Sequence, residues 1–250
     1  MKRMKYELTY LGRALLPLYL ATLAAAAACR LMGPDATGWM QLLQRGIGVL
    51  TMILVAASLL LTILASWNSF FRNNFKPEAT VLHSLPVSRS RLWMTFVISG
   101  LLFVTFSALI ILAVIGLCMP QQLMDSLRQL LDQSPDSGFS LIHLMGVSMW
   151  LQMTLYWLCG MTGMALGLHL HGSRLGWSVL AGIGLYLVIM LLMVGLIILQ
   201  TGPAFFGDES ALSVMQMQQL FRSIAGAYAL ADLALLVLGQ ILYARGFDLE

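Results

Sequence analysis

Long stretches without one charged side chain constrain this chain more than any other feature. Residues 46–71, 92–124, 137–173 and 175–207 contain no Asp, Glu, Lys or Arg. A helix needs about 20 apolar residues to cross the hydrocarbon core of a bilayer, so each window holds a crossing. Pro120 closes the second, because proline cannot continue a helix without losing a hydrogen bond. The polar His171-Gly172-Ser173-Arg174 separates the last two windows into a helical hairpin.

Two further stretches carry one charge each: 14–32, with Arg30 near its end, and 223–243, with Asp232 near its middle. Arginine at a helix end can snorkel to the headgroups. A central aspartate costs roughly 2.5–3.5 kcal/mol on insertion, which Leu233, Leu235, Leu236, Val237, Leu238, Ile241 and Leu242 offset. The sequence therefore predicts an all-α polytopic membrane protein of one domain, 1–250. Its six spans are near 14–32, 46–66, 92–119, 141–170, 175–200 and 223–243. Composition agrees, since only 10% of residues are charged against about 25% in a soluble domain.

Placing the N-terminus inside and alternating six helices puts ten basic residues inside and four outside, with Arg30, Arg45, Arg128 and Arg222 the outer four. That asymmetry follows the positive-inside rule and predicts that both termini face the cytoplasm. In residues 1–13 basic side chains alternate with Met4, Tyr6, Leu8, Tyr10 and Leu11. This mixture predicts an N-terminal interfacial helix lying along the inner headgroup layer. A cleaved leader fits less well, because the charged region runs to Arg13 and Arg30 follows Ala26-Ala27-Ala28-Cys29 directly. Residues 121–133 show helical spacing of leucines and predict a short outer helix, as does 210–221.

The chemistry-bearing motifs are few. No Gly-x-x-x-x-Gly-Lys-Ser/Thr loop is present to cradle a nucleotide, no His-Glu-x-x-His, and no paired acids at membrane depth. The reading is of no catalytic, cofactor or metal residues and of no enzyme. The net charge of +3 is too small for a nucleic-acid partner. Cys29, Cys118 and Cys159 read as small core residues. His169 and His171, two apart, fall on nearly opposite helix faces and read as solvated at the interface. Gly160, Gly163, Gly167, Gly176, Gly182 and Gly184 read as small residues that permit close helix approach. Asp232 reads either as an intramembrane polar site lining a path or as a protonated acid hydrogen-bonded inside the bundle.

The inner loop, 67–91, mixes polar residues with Phe70, Phe71, Phe75, Val81, Leu82 and Leu85, more apolar surface than a connector needs. Its Glu78, followed by Ser84-Leu85-Pro86-Val87-Ser88-Arg89 leading into the third helix, resembles the corresponding loop of ABC-2 type permease subunits of bacterial exporters. Where that family commonly has Glu-Gly-Tyr, this chain has Glu78-Ala79-Thr80. The ending Phe247-Asp248-Leu249-Glu250 is also similar to that of many relatives.

The resemblance implies a bacterial cytoplasmic membrane permease forming half of a translocation path, paired with a second copy or paralogue and surrounded by lipid. ATP and Mg would belong to a separate ABC ATPase subunit. The loop between helices 2 and 3 would be the coupling loop that docks it, with Leu82, Leu85 and Pro86 as an apolar tip and Glu78, Arg89 and Arg91 as a polar rim. A basic loop held by anionic lipid is the plainer reading of the same residues. An accessory or immunity membrane protein that binds a partner without transport is the alternative function.

Overall fold

The computed structural model describes residues 2–32, 38–75, 88–118, 135–170, 174–201 and 214–245. Among these, all regular structure is helical: α1 Lys2–Leu31, α2 Trp39–Phe75, α3 Arg89–Cys118, α4 Pro135–Gly167, α5 Arg174–Thr201 and α6 Val214–Arg245. All six are long and apolar enough to cross a membrane. Helices suit lipid because they satisfy their own backbone groups. Buried hydroxyls do the same, as when Thr62 Oγ1 donates to Ser58 O at 2.6 Å and Thr51 Oγ1 to Ile47 O at 2.8 Å.

The helices group into two compact units, Met1–Met124 and Asp125–Glu250. In the first, α1, α2 and α3 each pack against the other two. Glu7, Leu11, Leu15, Tyr19, Thr22 and Ala26 form one buried stripe along α1, with the spacing of three and four that keeps side chains on one helix face. Tyr19 ties the unit together: its hydroxyl pairs with Thr62 Oγ1 of α2 at 2.6 Å and reaches the Phe103 carbonyl of α3 at 3.4 Å. Phe70 of α2 sets its ring edge-on to Trp93 and Phe96 of α3, with centroids 5.9 and 5.1 Å apart.

In the second unit α4 is the central helix. Both α5 and α6 pack on it, and residues 153–165 are buried except for the half-buried Tyr156 and Gly160. A helix buried all round needs apolar residues on every face, and Met153, Leu155, Trp157, Leu158 and Met161 supply them. The α4–α5 contact is backbone against backbone. A Cβ placed on Gly163 would stand 2.5 Å from Gly182 N and 2.8 Å from Ser178 O. Gly184 has nothing within 4 Å and Gly176 is exposed, so only part of the expected glycine set does the packing. The α4–α6 seam is pinned by Thr162 Oγ1 donating to Leu235 O at 3.2 Å and by His169 Nε2 with Leu242 O at 2.8 Å. A carbonyl only accepts, so His169 donates there; it is tied to α6 rather than free in the interface.

Helix ends differ from the sequence expectation. Residues 2–13 are continuous with the first apolar stretch: α1 runs from Lys2 through Pro17 without interruption, and the section expected to lie apart as an interfacial helix carries Glu7 and Leu11 of the buried stripe. The inner loop is shorter than 67–91, because α2 continues to Phe75 and α3 begins at Arg89. Residues 214–221, expected within a separate short helix, are the first two turns of α6. In each case polar residues carry the helix past the apolar stretch, which hydropathy marks and backbone hydrogen bonding does not. The helix expected at 121–133 lies wholly outside the described residues.

Candidate functional site

Two places hold polar side chains that helix packing alone does not require, one in each unit. The first surrounds the roots of the loop between α2 and α3. Glu78, Leu82, Leu85 and Pro86 lie outside the described residues; Arg89 and Arg91 are the first turn of α3, half-buried and exposed respectively. The Ser88 carbonyl accepts from Arg91 N at 3.0 Å and Leu92 N at 3.2 Å, which starts the helix. On the α2 side, Phe71 and Phe75 stack with centroids 4.8 Å apart.

Just above that root α1 meets α2 through a polar network. Glu7 is only 1% exposed; its carboxylate accepts from the Ser69 hydroxyl and from Asn73 Nδ2, the latter at 3.2 Å. Around it, the Arg72 guanidinium sits 4.7 Å over the Tyr10 ring and reaches the Tyr6 hydroxyl at 3.5 Å. The Ser69 and Asn73 bonds fasten this acid, and with it α1, to α2. The sequence analysis missed this acid, although Glu7, Leu11, Leu15 and Tyr19 share the four-residue spacing of one helix face.

The second place is Asp232, on α6 in the other unit. It is 6% exposed, and among the described residues neither carboxylate oxygen has a hydrogen-bond partner. The structure therefore turns Asp232 inward. Tyr228 and Leu235, one turn to either side, are buried with it, whereas Ala229 is exposed. Cys159 on α4 is within electrostatic reach of the Asp232 carboxylate and also of Tyr186 on α5. Tyr186 and Tyr156 tilt against each other at 5.1 Å between centroids, with hydroxyls 3.4 Å apart, and both lie within electrostatic reach of Tyr228. Gln152 Nε2 donates to the Tyr156 hydroxyl at 3.0 Å.

No protein family, no characterised protein and no solved structure matches this chain. Function must be argued from the two sites themselves. Among the described residues no group of three or more His, Cys, Asp or Glu comes together. The tyrosine cluster had no sequence signal of its own, because residues 156, 186 and 228 stand on three helices and only the fold unites them.

Proposed function

We propose that the chain is the transmembrane permease subunit of an ATP-binding cassette exporter of the ABC-2 type, forming half of a translocation path in a bacterial cytoplasmic membrane. In this reading both termini are cytoplasmic, a second permease copy or paralogue completes the path, and a separate ABC ATPase supplies the work. ATP and Mg bind that partner, and this chain performs no hydrolysis of its own.

The observation that carries the proposal is the segment Glu78 to Arg89, with its Ser84-Leu85-Pro86-Val87-Ser88-Arg89 run, joining two helices whose adjoining ends are fastened together. Phe70 against Trp93 and Phe96 links α2 to α3 at the base of the loop. Glu7 with Ser69 and Asn73 links α2 to α1. A push on the loop is thus delivered to three helices at once, as a coupling element requires. In this reading Leu82, Leu85 and Pro86 would offer the ATPase apolar contacts, and Glu78, Arg89 and Arg91 polar ones. Asp232 is the intramembrane polar site on the path.

The tagged chain, purified from its own host in mild detergent, should bring down an ATPase with a phosphate-binding loop. Replacing Leu85-Pro86 with Gly-Gly should cut that association by about tenfold, near 1.4 kcal/mol, without changing the amount of inserted permease. Equal recovery of the ATPase moves the docking surface elsewhere; a wild-type preparation free of any ATPase overturns the exporter reading.

A further inference from the structure

Two of the chain's three cysteines meet in space although they stand far apart in sequence. Cys29 lies in the last turn of α1 and Cys118 is the last residue of α3. The Cys118 thiol is 3.9 Å from the Ala26 carbonyl. A helical carbonyl points along the axis at the residue four positions on, here Arg30, so this contact sets Cys118 beside the turn that carries Cys29. The two thiols are within hydrogen-bond reach of each other. Ala26 belongs to the buried stripe of α1, and Cys29, three residues on, shares its side of the helix. The same packing of α1 on α3 that builds the core of unit 1 thus brings the thiols together.

Both can also be reached from outside. Cys29 and Cys118 are half-buried and Arg30 beside them is exposed, whereas Cys159 of unit 2 is buried. Thiol reactivity requires access, so Cys159 serves as an internal control. Closing from hydrogen-bond reach to a bond of about 2.05 Å is asked of two short side chains, each turning about one bond.

We propose that Cys29 and Cys118 form a reversible disulfide that staples the end of α1 to the end of α3. The oxidant is itself a disulfide, small or protein-borne. One cysteine thiolate attacks a sulfur of the oxidant, forming a mixed disulfide and expelling one thiolate; the second cysteine thiolate attacks the protein sulfur of that mixed disulfide and expels the other. The two thiol protons end on the expelled thiolates, so the oxidant is reduced to two thiols as the pair is oxidised. With both termini cytoplasmic this end of unit 1 faces outward, where bacterial surroundings are oxidising. That placement rests on the exporter reading; the pairing does not.

The test uses the full chain, first reduced, in phosphatidylcholine nanodiscs with oxidised glutathione. Maleimide labelling of Cys29 and Cys118 should fall about tenfold or more, with Cys159 unchanged. Peptide mass should show Cys29 joined to Cys118 with no glutathione attached, in a chain that still runs as a monomer without reductant, and dithiothreitol should reverse the link. Cys118→Ser should instead leave glutathione on Cys29, because the thiol that displaces it is gone. Glutathione retained on both cysteines of wild type, a link that joins two chains or involves Cys159, or undiminished labelling overturns the pair.

A second arm traps free thiols with N-ethylmaleimide in intact cells before lysis, and the linked peptide should already be present. A pair that links in nanodiscs but is trapped reduced in cells keeps the disulfide and loses the outward placement. A chain that brings down an ATPase yet never links loses the pair and keeps the exporter reading.

Discussion

Among the described residues each unit buries one acid, and the two acids live under opposite conditions. Glu7 in the first unit accepts from Ser69 and Asn73; Asp232 in the second has no hydrogen-bond partner among the described residues. The surroundings differ in the same sense. The first unit is cross-linked by side chains, with Tyr19 bridging all three helices, while in the second α5 meets α4 through glycine and bare backbone. Burial alone therefore does not distinguish a structural polar group from a functional one. Satisfaction does, because a satisfied group has already spent its hydrogen-bonding capacity on the fold.

The strongest way to break this contrast is to add bulk at the glycine seam. Gly163→Leu should abolish recovery of monodisperse protein by size-exclusion chromatography, since its Cβ would stand 2.5 Å from the backbone of Gly182; the cost exceeds about 4 kcal/mol. Gly12→Ala in the first unit, whose nearest neighbour is the tip of Phe103 at 3.9 Å, should leave recovery unchanged. Equal loss in both would show that the units do not differ in how closely their backbones approach.

The paired acids come next in size. Glu7→Ala strands the Ser69 hydroxyl and should lower unfolding stability by about 1–3 kcal/mol. Asp232→Asn should change it by less than about 0.5 kcal/mol or raise it, because no hydrogen bond is lost and the burial of charge is relieved. Thermal unfolding of both variants in the same lipid decides the matter; a drop at Asp232 as large as at Glu7 would mean that the carboxyl already holds a partner in the folded unit. Among the expected losses the smallest is that of Tyr19→Phe, which removes one interhelical hydroxyl and should cost about 0.6 kcal/mol, the average for such bonds within membranes.

The six long apolar helices were legible because charge is costly in hydrocarbon, and runs such as 92–118 carry none. Asp232 was legible for the same reason, as the one acid inside an apolar stretch. Helix ends were not, since Asn68, Arg72 and Asn73 stop a hydropathy window without stopping a helix. Glu7 was hidden among Lys2, Lys5 and Arg13, in a segment whose basic charge suggested headgroups; its partners, Ser69 and Asn73, stand more than sixty positions away. The tyrosine cluster was hidden because α4 is apolar on every side, so no periodicity reveals which of its faces meet α5 and α6. Nor did any repeat in the sequence announce two units of three helices.

The length of α2 carries a mechanical consequence. Its 37 residues make a rod of about 55 Å, against a hydrocarbon core of about 30 Å. More than two turns, from Trp67 to Phe75, extend past the apolar stretch as an unbroken lever arm. A tilt of about 10° around the middle of that rod swings Phe75 through about 5 Å. The reverse also holds: a few ångströms of travel at the loop is geared down to a small rotation at depth. Trp93 and Phe96, gripping Phe70 near the free end of the arm, pass that rotation to α3.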